Sequence, residues 1–220
     1  MAAGCLVLVD GWNHFLRAQE CYGYTLATKF PIDRLARYVA TEAGEDVVTG
    51  VVVVMAIPDR NQPGEEPEFH AWRRRLNKLH NFGVEHAKAR FSYHDLQCAH
   101  CGATMDRTIE CRTCTRSTRL VGRRKEKGAD TMLAALALNG AWEESYSTLV
   151  VLSQDSDFGP VMDQVKQVHL RQHRRYTLYS AFPVCDKGHD HRKVPGTKAF
   201  PLTEDVYAKL AEQPYAKPLR

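Results

Sequence analysis

Cys5-Leu6-Val7-Leu8-Val9 runs into Asp10-Gly11-Trp12-Asn13, and Leu149-Val150-Val151-Leu152 runs into Ser153-Gln154-Asp155-Ser156-Asp157. A third apolar run, Val51 to Ile57, stops at Pro58. Short continuous runs of branched residues, without alternation, predict strands buried on both faces, as in a parallel sheet. Tyr176 to Ala181 reads as a further strand and Val84 to Phe91 as a weaker one. Helical patterns lie between them. In Pro31 to Ala43, residues Ile32, Leu35, Ala36 and Val39 form an i, i+3, i+4, i+7 stripe. Glu68 to Phe82 follows, then Asp130 to Trp142, which is almost entirely apolar and predicts a buried helix. Pro160 to Leu170 places proline just inside a helix, where its missing N–H does no harm. Strands alternating with helices predict an α/β sandwich with a largely parallel central sheet.

Residues 92–126 break this rhythm. They contain Cys98-Ala99-His100-Cys101 and Cys111-Arg112-Thr113-Cys114, two cysteine knuckles separated by a short spacer. Each knuckle lets two thiolates converge on one ion, and the spacer is long enough to fold back as a hairpin. Cys98, Cys101, Cys111 and Cys114 are therefore expected to hold a structural Zn2+ in a closed tetrathiolate shell. Such a site is worth on the order of 10 kcal/mol to a module with almost no core. The expected organisation is a discontinuous α/β domain at 1–91 and 127–182, a zinc-binding insertion at 92–126 and a C-terminal extension at 183–220. Within the extension, Glu204 to Glu212 reads as a short helix.

A chain of 220 residues suits one domain with a modest embellishment and needs no disulfide framework. Its seven cysteines are an odd number, so they cannot all pair, and Cys5, within an apolar run, is expected in the core. No apolar run is long enough for a membrane span, and the first ten residues lack the basic flank of a secretory signal. The expectation is a cytoplasmic protein without a membrane partner. The net charge of +4 is mild, but its distribution is uneven. Arg112, Arg116, Arg119, Arg123, Arg124, Lys125 and Lys127 crowd one stretch in which Glu126 is the internal acid. Arg73, Arg74, Arg75 and Lys78 form a second cluster, and Arg171, Arg174 and Arg175 a third. Clusters of this kind suit either a solvated helix face or a polyanionic partner, RNA or DNA.

In parallel α/β sheets ligands bind outside the carboxyl ends of the strands. Asp10 ends the first strand, Asp155 and Asp157 follow the Leu149–Leu152 run, and Asp130 opens a helix after Lys127-Gly128-Ala129. Singly, Asp130, Asp155 and Asp157 could each cap a helix. Gathered in one crevice they would repel by roughly 4 kcal/mol per pair at ~4 Å and an effective dielectric near 20. Such a cluster needs protons or a cation, and hard oxygen donors suit Mg2+ or Mn2+. These ions polarise phosphoryl oxygens and activate water for in-line attack.

Asp10-Gly11-Trp12-Asn13, Lys127-Gly128-Ala129-Asp130 and Ser153-Gln154-Asp155-Ser156-Asp157-Phe158, in this order, resemble the NYN domain of the PIN-like nucleases. The resemblance covers residues 4 to 182 apart from the insertion. It implies a Rossmann-like, three-layer sandwich with strand order 3-2-1-4-5 and a metal-dependent nuclease centre, usually acting on RNA. By position it implies that Asp10, Asp130, Asp155 and Asp157 are the metal-binding catalytic acids, with Asn13 the polar companion of the first turn and Ser153 the small residue before the last acids. Gln154 departs from the pattern, where glycine is common, and the zinc-bearing insertion is the larger departure.

The expected function is therefore metal-dependent phosphodiester hydrolysis, with Asn13, Ser153 and Lys127 positioning substrate. Arg116, Arg119, Arg123, Arg124 and Lys125 would draw the backbone in. A phosphoaspartyl phosphatase would want an acid at position 12, which is Trp12, and a dinucleotide-binding oxidoreductase a glycine-rich first turn, which is lacking. The alternative is a non-catalytic zinc-containing module gripping RNA through its arginines and through Trp72, Phe91 and Tyr93. Cys185, Asp186, His189, Asp190 and His191 are dense in potential ligands but read as a solvated loop, and His14 reads as a packing residue near the acidic rim.

Overall fold

The computed structural model of the chain describes residues 4–62, 64–93, 108–110, 117–119, 124–185, 192–215 and 218, with 108–110 and 117–119 described by their backbone alone. In chain order the elements are β1 (Cys5–Asp10), α1 (Gly11–Tyr22), α2 (Tyr24–Ala27), α3 (Ile32–Glu42), β2 (Val48–Ala56), α4 (Glu66–His80) and β3 (Val84–Tyr93). Then come β4 (Thr108–Glu110), β5 (Ser117–Arg119), β6 (Arg124–Lys127), α5 (Ala129–Trp142), β7 (Thr148–Leu152) and a 3-10 turn at Ser156–Phe158. The chain continues through α6 (Gly159–Arg171), β8 (Thr177–Pro183), β9 (Lys198–Leu202) and α7 (Glu204–Glu212).

One sheet runs in the order β6-β3-β2-β1-β7-β8-β9, parallel throughout except for the antiparallel β3–β6 pair. Within it β3-β2-β1-β7-β8 reproduces the order 3-2-1-4-5. β7 is buried along its whole length, as a central parallel strand must be. Alternation divides the interior in two. Val7, Val9, Val150 and Leu152 face α1, α3 and α4, whereas Leu8, Leu149 and Val151 face α5 and α6. The three layers are thus helix, sheet and helix.

Several elements differ from the sequence reading. α1 and β9 have no counterpart in it. α1 buries a stripe of Gly11, His14, Phe15, Ala18, Cys21 and Tyr22, whose histidine and small residues dilute the apolar signal, and is started by its cap at Asp10. β9 carries Pro201 and lies at the sheet edge, where proline is tolerated. The stretch after β8 is integral to the fold: β9 pairs parallel with β8, and α7 buries Tyr207 and Leu210 in the first half-core. β6, taken with the insertion from sequence, joins the main sheet through β3. α5 is apolar but not wholly buried, because it covers the sheet with one face only. Leu133, Ala137 and Ala141 point inward, and Trp142 is half exposed. The four knuckle cysteines lie outside the described residues; β4 and β5 pair as an antiparallel ladder on either side of Cys111 and Cys114 in the chain. Cys21, at the end of α1, forms a disulfide with Cys185, just after β8, and Cys5 is buried as expected. Among the described residues no helix is long and apolar enough to cross a membrane.

His14 lies in the core between Phe30 and Tyr207, and neither of its ring nitrogens has a hydrogen-bond partner among the described residues. Burial pushes its pKa from 6.5 down to about 4. Between those values the unfolded chain binds a proton that the native chain refuses, so stability is full above the unfolded pKa and falls as the pH drops toward the folded one. Wild type should lose about 2 kcal/mol between pH 7 and pH 5 that His14→Leu does not lose. Urea unfolding of both proteins at the two pH values checks this; parallel losses would refute it.

Candidate active site

The carboxyl ends of the parallel strands open on one edge, and Asp10 stands at its centre. It is the last residue of β1 and the N-cap of α1, with its Oδ1 accepting the Asn13 N–H at 3.3 Å. Its Oδ2 accepts the Ser153 hydroxyl at 3.2 Å, and Ser153 Oγ accepts the Asp155 N–H at 3.1 Å. Asn13 Oδ1 in turn accepts the Gln154 N–H at 3.2 Å. The turns after β1 and β7 are thereby stitched together by side chains that sequence places 140 positions apart. The turn after β1 is tight: a Cβ on Gly11 would stand 2.6 Å from Met55 Cβ, so glycine lets α1 approach β2.

Ser180 Oγ, from β8, donates to the Ser153 carbonyl at 2.7 Å and fixes the exit of β7 from the other side. Asp155 caps the 3-10 turn, accepting the Asp157 N–H at 2.9 Å, so the capping role and a place at the edge coexist in this residue. Asp130 is different. The cap of α5 is Gly128, held at φ 88°, and Asp130 sits in the first turn without capping it.

These acids feel one another. Asp10 is 5% exposed, and burial, reinforced by the charges of Asp130 and Asp155, pushes its pKa to about 6 against the pull of its Asn13 and Ser153 hydrogen bonds. Asp130 is raised by burial and then by Asp155 and Asp157. Among the described residues no three His, Cys, Asp or Glu side chains are already gathered tightly enough to chelate an ion. The donor set itself, carboxylate oxygens that raise one another's pKa, fits a hard divalent cation, which would relieve that repulsion.

A fifth acid, Glu126, was missed from sequence, where it read as an interruption in a basic run. β6 lies antiparallel to β3 beyond the end of β2, which pairs with β3 only as far as Ala56 and Ala89. From there the Glu126 carboxylate accepts the Ala56 N–H. Burial raises its pKa to about 7, and the Asp10 and Asp130 charges push the same way. The signal that could have found it is the alternation in Arg124-Lys125-Glu126-Lys127. As a strand, this stretch puts Glu126 on the face opposite the lysines.

Lys125 and Lys127 are exposed on that other face. Arg124 is engaged within the fold. Its guanidinium makes ion pairs with Glu68 at 2.7 Å and Glu65 at 3.1 Å, and lies over the rings of Phe91 and Trp12. Trp12 donates its indole N–H to the Ala56 carbonyl at 2.8 Å. Arg119 is described as β5 backbone, while Arg116 and Arg123 lie outside the described residues, as do Asp186, His189, Asp190 and His191. Cys185, in its disulfide, is no thiolate ligand. Trp72 is buried, while Phe91 and Tyr93 are half-buried.

The NYN domain model matches residues 5–181, which takes in every strand from β1 to β7 and most of β8. The chain belongs to the NYN domain family. NYN domains are part of the PIN-like nuclease superfamily, and the strand order 3-2-1-4-5 that the resemblance implied is present. No curated protein matches this NYN chain. A solved structure of a protein of unknown function from Vibrio parahaemolyticus aligns with 82% of this chain and 83% of its own, at 17% identity and a TM-score of 0.38.

If the acids are coupled through space, removing one charge must ease ionisation of the others. Asp130→Asn should lower the Asp10 pKa from about 6 toward the ordinary carboxylate range. Carboxyl-carbon NMR titration reads this directly, and an unmoved Asp10 would show that the two are not neighbours.

Proposed function

We propose that this NYN domain is a metal-dependent nuclease, acting on RNA, with its centre at the carboxyl edge of β1 and β7. The observation that supports this most is the hydrogen-bonded unit of Asp10, Ser153 and Asp155, with Asn13 bound to Gln154, which holds acids from two crossovers at one place. Asp10, Asp130, Asp155, Asp157 and Glu126 are the residues that would hold one or two Mg2+ or Mn2+ ions. Held by these residues, such ions would supply charge neutralisation of the phosphate and Lewis-acid activation of water.

The chain's own residues have separable tasks. Ser153 and Asn13 hold the two turns in register, so the acids meet without a search through rotamers. Asn13 uses its Oδ1 for this, and its Nδ2 makes no hydrogen bond to a described residue, so it can donate to a phosphate oxygen. Lys127 precedes the Gly128 turn and leads the exposed cationic face of β6 toward Asp130. Cys98, Cys101, Cys111 and Cys114 would bind a Zn2+ of purely structural role, distinct from the catalytic ions.

Protons compete with metal for the acids. Asp10 and Glu126, raised to about 6 and about 7, must be ionised to act as donors, so divalent-ion affinity should climb as the pH rises from 5.5 to 7.5. Calorimetric titration with Mg2+ or Mn2+ measures this, and a pH-independent affinity would argue against both as ligands. The decisive assay is cleavage of a mixed RNA pool, with matched single-stranded DNA, by folded, zinc-loaded wild type and Asp130→Asn. Metal-dependent cutting by wild type that is lost in the variant is expected. Equal cutting by both would misplace the centre, and salt-sensitive binding without cutting would favour the RNA-binding module. Cys98→Ser should lower the zinc content; an undiminished content would sink the tetrathiolate site.

A further inference from the structure

A cavity of about 330 Å3 opens between the exit of β2, the first turns of α4 and the outer half of β3. It is of the size that holds small ligands. Phe69, Phe91 and Tyr93 supply aromatic wall, and Lys88 and Arg90 supply charge. None of the five acids of the β1/β7 edge lines it; Asp59 does, with its Oδ1 held by Asn61, and the two sites share a partition. Ile57, in the cavity wall, follows Ala56, whose N–H is held by Glu126 and whose carbonyl accepts from Trp12. Phe91 sits opposite Glu126 in the β3–β6 ladder, with its ring 5.7 Å from Trp12.

The rim is cationic in a patterned way. Arg90 pairs with Lys127 and Ser92 with Lys125 across the antiparallel ladder, which places these side chains on one face; alternation adds Lys88. All four cations are exposed, and none makes an ion pair with a described residue. Like charges directly opposite each other on a ladder are destabilising, so the Arg90–Lys127 pair costs stability unless an anion lies between them. On the other wall Arg73 stands 5.8 Å over the half-exposed ring of Phe69. Beyond Ala89, β3 has β6 on one edge and no described strand on the other.

Aromatic faces interleaved with cations suit one chemistry, a base stacked on a ring with flanking phosphates held by lysine and arginine. A duplex keeps its bases stacked and paired and has no free base to insert. We propose that this cavity docks an unpaired nucleotide of a single-stranded polynucleotide, with its base on Phe69 and its phosphates on Lys88 and Arg90. The inference rests on the nuclease reading of the neighbouring acids for where the strand then leads, since the Ala56–Ile57 backbone joins the cavity wall to Glu126.

The test uses full-length protein carrying Asp130→Asn, to prevent cleavage, with oligonucleotides containing 2-aminopurine. An RNA single strand, the same sequence as DNA, and the RNA duplex form the three arms, without added divalent ion. Single strands should bind with quenching of the fluorescent base, and the two single-strand arms tell which sugar is preferred. Phe69→Ala should weaken binding roughly ten-fold and abolish the quench. Phe69→Leu, which keeps the apolar volume, should also abolish the quench and covers the case in which the alanine variant unfolds. Replacing Lys88 and Arg90 together by alanine should flatten the log–log salt dependence by about 1.4, for two phosphate contacts.

Quenching that persists in both Phe69 variants would overturn the proposal, as would duplex binding as tight as that of the single strand. If no single strand binds while wild type still hydrolyses a small activated phosphodiester, the cavity inference fails and the nuclease reading stands. If strands dock on Phe69 but wild type cleaves nothing, the docking site stands and the nuclease reading fails.

Discussion

The hydroxyl of Ser153 sits between two carboxylate-bearing turns, donating to Asp10 and receiving the backbone N–H of Asp155. A buried carboxylate is tolerated only when its oxygens are bonded, and Asp10 has both of its oxygens engaged. That satisfaction has a geometric consequence. One oxygen starts α1 and the other ties β1 to the exit of β7, so the two central strands must end level with each other. The acidic edge therefore depends on a small polar residue that carries no charge. The residual cost of burying Asp10 appears as its raised pKa, which a cation at the edge would relieve.

The second constraint comes from outside the five-strand sheet. β3 overshoots β2, and the overshoot is covered by β6, the strand by which the chain returns from the cysteine-bearing insertion. This return carries Glu126 to the end of β2 and delivers the chain to Gly128, whose left-handed conformation turns it into α5. Arg124 clamps the start of β6 against the rings of Trp12 and Phe91 and against Glu65 and Glu68 at the start of α4. Half-buried charge of this kind is costly to leave unpaired, so loss of Arg124 would release both acids and the strand. The strand that leaves the insertion is thus part of the frame of the site.

Legibility in the sequence varied with how local the determining physics was. The five parallel strands, α3 to α6 and the helix at Glu204–Glu212 were readable because apolar periodicity is written in neighbouring residues. Asp10, Asp130, Asp155 and Asp157 were readable as strand-end and helix-start acids, and the family resemblance ordered them. α1 was hidden because its buried stripe runs through Gly11, His14, Ala18 and Cys21 as well as Phe15 and Tyr22, residues that do not read as an apolar face in sequence. β9, with a proline and exposed alternate residues, lacks the signature of a buried strand and gains its place by pairing with β8.

Composition and spacing by themselves determined that this chain builds a parallel α/β sheet, that acids stand at its strand ends, and that two cysteine knuckles interrupt it. These follow from the periods of strand and helix and from the reach of short ligand spacings, which are local quantities. Tertiary structure alone decided that Glu126 belongs with the acids, that Arg124 serves packing and ion pairing within the fold, that Cys21 meets Cys185, and that Lys88, Arg90, Lys125 and Lys127 share one face. Each of these depends on which strand lies beside which, and in what register. A shift of one residue between β3 and β6 would exchange the lysines for Glu126, with no change in the sequence of either strand.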